Sequence, residues 1–256
     1  MQHRGLTLFL VFVFVGTAVL LALGTWQWTR RADKLEFIAR IAQAAARDPR
    51  PLAGARTWDR VLVNGRFQPE KTAYIRTSRP APKPGERDSR GRVPVSGFGV
   101  MVMTAFETEP CVAAGCQTQT LLINRGFLPT PPSGEIPVIS TPSGMVSIVG
   151  FLRPSERESS LPPGNDVGKG VFFYRTSPDV ARFLGLSGDF EHFLDQQAPE
   201  REKSPPFGID IADLIKAIPN NHLQYAITWW SLAATNLAVA AFFMMSRRRK
   251  SEPEAR

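Results

Sequence analysis

Leu6–Leu23 reads LTLFLVFVFVGTAVLLAL, a run without a charge that stays neutral to Thr29, and Tyr225–Met245 reads YAITWWSLAATNLAVAAFFMM, a second run without a charge. About 20 apolar residues in a helix cross the roughly 30 Å hydrocarbon core of a bilayer, so each run is long enough to span it. Gly16 and Thr17 do not interrupt the first, because a spanning helix satisfies its own backbone hydrogen bonds. Trp26 and Trp28 close the first run, and Tyr225, Trp229 and Trp230 open the second, as residues of an interfacial aromatic belt do. Both aromatic clusters then belong to the same membrane face. Arg4 and the small residues Ala22-Leu23-Gly24 also permit a cleaved signal peptide, but the apolar run exceeds an ordinary signal core, and a retained anchor is the favoured reading.

Arg247-Arg248-Arg249-Lys250 follows the second run directly, and short basic flanks collect on the cytoplasmic side. The expected organisation is therefore a cytoplasmic N-terminus (1–5), a first span (6–28), an extracytoplasmic domain (29–224), a second span (225–245) and a basic cytoplasmic tail (246–256). The chain has 256 residues with a formal net charge of +8; Arg4 and the tail carry about half of it, which leaves no nucleic-acid footprint on the central domain. Its 22 Pro and 20 Gly exclude a helical bundle, and its 43% hydrophobic content excludes wholesale disorder.

Arg30–Arg47 has helical spacing at Leu35, Ile38 and Ile41, and Asp48-Pro49 ends it. Strand patterns follow at Trp58–Phe67, Thr72–Arg76, Phe98–Phe106, Thr118–Asn124, Val146–Leu152 and Val171–Arg175, separated by stretches rich in Pro and Gly. Pro178–Gly185 reads as a short helix. The fold class expected is an α+β membrane protein, two transmembrane helices flanking a β-rich sheet or small barrel.

Catalytic signatures are missing: no GxSxG, HExxH, P-loop or GxGxxG is present, and with His3 cytoplasmic only His192 and His222 remain as bases in the outer domain. An enzyme is not expected. Cys111 and Cys116 have neither the spacing of a redox CxxC pair nor a second pair to complete a zinc site. They read as a loop disulfide, with a copper or thiol-redox role as the rival. The stretch PNNHLQYAITWW (219–230) is more informative. On a helix, His222, Tyr225, Ala226 and Trp229 share one face that starts at the membrane surface. Such an imidazole above an aromatic stripe suits axial ligation of a haem iron, with Trp26 and Arg30 at the same level and Arg30 or Arg31 matched to haem propionates. The plainer alternative is an interfacial histidine within an aromatic anchor.

Taken in order, the motifs resemble those of the surfeit locus protein 1 (Shy-type) cytochrome c oxidase assembly family, over nearly the whole chain. Gly24-Thr25-Trp26-Gln27 with Arg30 and Lys34 is similar to that family's GxWQxxRxxxK signature. Asn64-Gly65-Arg66-Phe67 resembles its GxF element, and Asn124-Arg125-Gly126-Phe127-Leu128-Pro129 its NRGW(V)P motif with Phe for Trp. Gly150-Phe151-Leu152-Arg153 and Asn220–Trp229 resemble the two remaining signatures. The resemblance implies an assembly factor that binds haem a transiently and assists its insertion into the catalytic subunit of the oxidase, with a haem a synthase as a second candidate partner. It implies His222 as the haem and metal ligand, Tyr225 and Trp229 beside it, and Trp26, Gln27 and Arg30 facing them. Arg125 and Gly126 are expected to serve the fold. The start of the chain suggests a bacterial member without a transit peptide, in the inner membrane. The rival reading of the same signatures is a haem-free scaffold that steadies an oxidase subunit.

Overall fold

The computed structural model describes residues 2–109, 119–160, 163–198 and 205–251. Cys111 and Cys116 lie outside them. Two units emerge, one made of residues 1–40 and 218–256 and the other of Ile41–Ala217.

The first unit is a pair of helices. α1 (Gln2–Ala46) is continuous, joining the expected span to the expected exit helix. Nothing between Thr25 and Ala46 breaks it; the first proline is Pro49. At 1.5 Å per residue its 45 residues extend roughly 67 Å, more than twice the hydrocarbon thickness. α4 (His222–Ser251) carries the second apolar run. Both helices are long and apolar enough to cross a membrane, and most of their apolar surface faces outward.

The two helices run antiparallel: Phe9 meets Phe243, Thr17 meets Asn236, and Gln27 meets His222. On α4 the contact line follows buried Ala226, Ala233 and Ala240, seven residues apart, and on α1 it follows Val13, Thr17 and Gly24. This is the 3.5-residue repeat of a left-handed pair, lined by the small residues that let membrane helices approach. Midway along both apolar runs, Asn236 Nδ2 donates to Val13 O (3.2 Å) and to Thr17 Oγ1 (3.0 Å). A polar amide at that depth satisfies itself in one register only, so Asn236 sets the axial alignment of the pair.

The second unit is a small barrel. Its strands are β1 (Arg50–Pro51), β2 (Arg60–Arg79), β3 (Gly97–Thr108), β4 (Thr120–Pro129), β5 (Val146–Pro154) and β6 (His192–Gln196), in the order β1-β2-β3-β4-β6-β5. β5 returns to pair with β2, Arg60–Gly65 against Phe151–Val146, and so closes the sheet. Three consecutive antiparallel strands with a fourth returning beside the first make a Greek key, and parallel pairing of β4 with β6 completes a five-stranded barrel of the OB type. Val61, Val63, Phe67, Phe106, Ile123, Ile148 and Leu194 pack together in its core. The short helix α2 (Ser177–Phe183) sets Val180 and Ala181 on a second cluster with Ile75, Met103, Phe172 and Phe193.

Several strand boundaries differ from expectation. The expected strand Trp58–Phe67, which begins only at Arg60, and Thr72–Arg76 are parts of the single strand β2; Pro69 falls where the register with β3 shifts, a bulge that tolerates its missing N–H. Val171–Arg175 is no strand: Phe172 enters the core and makes only an isolated bridge to Ile75. β6, β1 and the short helix α3 (Ile211–Ala217) have no counterpart among the expected elements.

Candidate functional site

The site candidates lie where α1 and α4 meet beside the aromatic ends of both runs. Gly24 is what brings the helices together there: a Cβ at this position would fall 2.3 Å from Trp230 Nε1, so only glycine admits the indole. One turn further, Gln27 Oε1 lies 2.8 Å from His222 Nδ1. The carbonyl oxygen accepts and the ring nitrogen donates.

The two faces of the pair differ. At 3.6 residues per turn, Trp26 and Arg30 fall to one side of the contact line through Gln27. His222, Tyr225 and Trp229 fall to one side of the line through Ala226. Because the helices run antiparallel, these are the same side. Trp28, Arg31 and Trp230 occupy the other, where the two indoles meet at 6.0 Å and the Arg31 guanidinium covers Trp28 at 5.4 Å. The five residues expected at the site thus share one face, and of the two arginines weighed for propionates only Arg30 is on it. Arg30 lies 5.8 Å from the Trp26 ring and 3.6 Å from Asp33, in an exposed pair of little strength. Tyr225 is 54% exposed and Trp26 50%, so the face presents aromatic surface to its surroundings. His222 is half-buried, and its Nε2 meets no polar partner among the described residues.

Chemically, this face offers one imidazole lone pair, a guanidinium and aromatic surface. Among the described residues no group of three or more His, Cys, Asp or Glu is placed to hold a bare metal ion. A haem iron, by contrast, brings four ring nitrogens and asks the protein for an axial ligand alone, which a single histidine can supply.

The barrel holds a second polar centre. Asp195, fully buried on β6, accepts from Asn124 Nδ2 (2.6 Å), Arg153 Nη1 (2.8 Å) and Arg175 Nη1 (3.3 Å). Arg175 also binds Glu156 through Nε at 2.9 Å, and Arg153 lies over Trp58 at 4.3 Å. Burial works against both ions of the Arg175–Glu156 pair. The attraction of Asp195 and Glu156 nevertheless raises Arg175 above the ordinary arginine value, and Arg175 holds the Glu156 carboxyl below its ordinary range. Two acids face two arginines, so the centre is neutral and ties β4, β5 and β6 together. The NRG motif belongs to it. Asn124 Oδ1 accepts from the Gly126 N–H (3.2 Å), and Arg125 turns to Thr141 and Ser140 at 2.7 and 2.8 Å. Gly126 takes φ +118° with Phe207 O where a Cβ would stand, as the expected fold role requires.

A family model described as SURF1 family matches residues 14–234, from the first span through the barrel and into the second. The chain belongs to the SURF1 family. Surfeit locus protein 1 of Takifugu rubripes is 27% identical over 237 residues, covering 87% of this chain and 91% of its own. Surfeit locus protein 1 of Arabidopsis thaliana is 28% identical over 96% of this chain and 79% of its own. The SURF1-like protein of Rickettsia conorii is 26% identical over 93% and 90%. The match reaches residues on both helices of the site, Trp26, Gln27 and Arg30 on α1 and His222, Tyr225 and Trp229 on α4.

Gln27 was visible in the sequence only as part of a signature, without a partner. Gly24 likewise stood in that signature without a packing partner, and Asn236 and Asp195 gave no functional signal at all.

Proposed function

We propose that this SURF1-family chain is a membrane-anchored assembly factor for haem-a-type cytochrome c oxidase that holds haem a transiently and assists its insertion into the catalytic subunit. The observation that carries the reading is the His222–Gln27 pair: an imidazole with one nitrogen bonded and the other open, on the same face as Trp26, Arg30, Tyr225 and Trp229. Haem a supplies an iron that accepts an axial ligand and carboxylates that accept hydrogen bonds. His222 would ligate the iron, Arg30 would pair with the propionates, and the aromatic side chains would cover apolar ring surface. The helices touch at Gly24 and Trp230, so the surface that would receive the ring is the outer face of the pair and not the seam between them. An open face of this kind suits a cargo that must leave again.

The setting is a bacterial inner membrane, with α1 retained as an anchor: removing it as a signal peptide would strip Asn236 of both hydrogen-bond partners within the apolar run. The basic tail after α4 supports a topology with both termini in the cytoplasm and the barrel outside it. The partners are the oxidase catalytic subunit, membrane lipid and, on the supply side, a haem a synthase. The role is custody and delivery, with no bond of a substrate made or broken.

The test is the haem a content of the oxidase catalytic subunit in cells lacking this protein, complemented with the parent or with His222→Ala. The reading expects restored haem a with the parent and a catalytic subunit that is present but poor in haem a with the variant. Full haem a occupancy of a scarcer subunit in the uncomplemented cells would move the function to that of a haem-free scaffold.

A further inference from the structure

We infer that Gln27 is a positioning residue for His222: its side-chain carbonyl fixes the imidazole in the tautomer protonated at Nδ1, so that Nε2 is the nitrogen offered to iron. The ligand half of this inference rests on the haem reading above; the tautomer half stands on the geometry alone.

Two observations and the chemistry of the imidazole ring support it. An amide carbonyl oxygen has no hydrogen to give, so the 2.8 Å contact between Gln27 Oε1 and His222 Nδ1 requires the proton on Nδ1. A neutral imidazole carries one N–H only, which leaves Nε2 as a bare acceptor. Among the described residues Nε2 has no donor facing it, so the structure leaves one lone pair open beside Tyr225 and Trp229. Metal-bound histidines ordinarily have their second nitrogen donated to an oxygen acceptor, which orients the ring and selects the ligating atom.

The position of Gln27 is itself held. Gly24, one turn away, admits Trp230 at van der Waals contact, and Asn236 fixes the axial register of the helices from mid-span. With the register fixed, Gln27 and His222 face each other although 195 positions separate them in the chain. A polar side chain on the contact line of two apolar helices is costly unless it is hydrogen-bonded, and His222 supplies its bond. The choice of an amide also suits the proposed task. It orients the ring without the charge of a carboxylate, which would make the imidazole a stronger donor to iron and delay release.

The experiment has two parts, both on the full chain in detergent. First, nitrogen NMR of haem-free protein carrying 15N-histidine, with the His222 signals assigned by their loss in His222→Ala, reads the tautomer directly. The expected result is a protonated Nδ1 and an unprotonated Nε2 in the parent and in Gln27→Glu, and a mixture of tautomers in Gln27→Leu. Second, titration with haem a is expected to show binding weakened about 10–100-fold in Gln27→Leu. Gln27→Glu, which keeps an acceptor at the same reach, restores the affinity and slows release. A parent protonated at Nε2, or equal haem a affinity in Gln27→Leu and the parent, overturns the inference. If the parent binds no haem a at all, the proposed function fails, and the NMR result still decides the assignment of Gln27.

Discussion

Replacing Asp195 with alanine removes the carboxylate on which the polar centre of the barrel converges. In the parent, Asp195 and Glu156 balance Arg153 and Arg175. In Asp195→Ala the balance becomes one positive charge in excess. Arg175 keeps Glu156, but Arg153 loses the carboxylate it is paired with while its side chain is 14% exposed, and its Nε has no hydrogen-bond partner among the described residues. Asn124 loses an acceptor at 2.6 Å as well. Breaking a buried ion pair from one side costs about 3–5 kcal/mol, since the surviving charge remains desolvated. For a unit the size of Ile41–Ala217, each kcal/mol moves the Tm by about 2–4 °C, so the expected fall is about 6–20 °C. The assay is thermal unfolding of the full chain in detergent, followed by near-ultraviolet circular dichroism. Adding Arg153→Met to Asp195→Ala restores neutrality, and is expected to recover about 0.5–3 kcal/mol of the loss. A Tm within about 2 °C of the parent in Asp195→Ala, or no recovery in the double variant, would refute the idea that charge balance holds this centre together.

Three further outcomes follow from the same geometry. Because Arg175 holds Glu156 below the ordinary carboxylate range, the stabilisation from this group is present above the unfolded-chain value of about 4.3 and is lost as pH falls through the lower folded value. Glu156→Gln is therefore expected to be less stable at neutral pH with a flatter acid limb, read by Tm against pH; parallel curves would contradict this. Gly126→Ala puts a side chain on a backbone at φ +118° and against Phe207 O, and should cost at least about 1–3 kcal/mol in barrel stability by the same melt. Asn236→Leu removes two cross-helix hydrogen bonds, each worth about 0.6 kcal/mol on average in membrane proteins. It should lower the SDS midpoint for separating α1 from α4 while leaving the barrel melt unchanged, and an unchanged midpoint would show that Asn236 does not set the register.

The helices were legible because hydropathy over 20 residues is a strong pattern, and α1 was divided only because Thr29 and Arg30 change its polarity without breaking its backbone. Most barrel strands were legible from β-branched runs between turn residues. β6 was not: HFLDQ carries an acid at its fourth position, and Asp195 becomes a core residue only when Arg153 and Arg175, from other parts of the chain, meet it. Val171–Arg175 shows the opposite failure, an apolar run whose phenylalanine packs without a ladder. At the site, the individual residues were marked by their signatures, and the shared face follows once the antiparallel register is known. The Gln27–His222 contact was not legible, because the register depends on Asn236, which looks in sequence like a blemish in an apolar run.

The most direct test of the central claim is the absorption spectrum of the detergent-purified protein, co-produced with the enzymes of haem a synthesis, beside that of His222→Ala. The account predicts a haem a spectrum in the parent that is lost in the variant, while the barrel melts at the same temperature in both. Equal haem a retention in the two proteins would contradict His222 as the ligand, and no haem a in either, with oxidase subunits still co-purifying, would contradict haem custody itself.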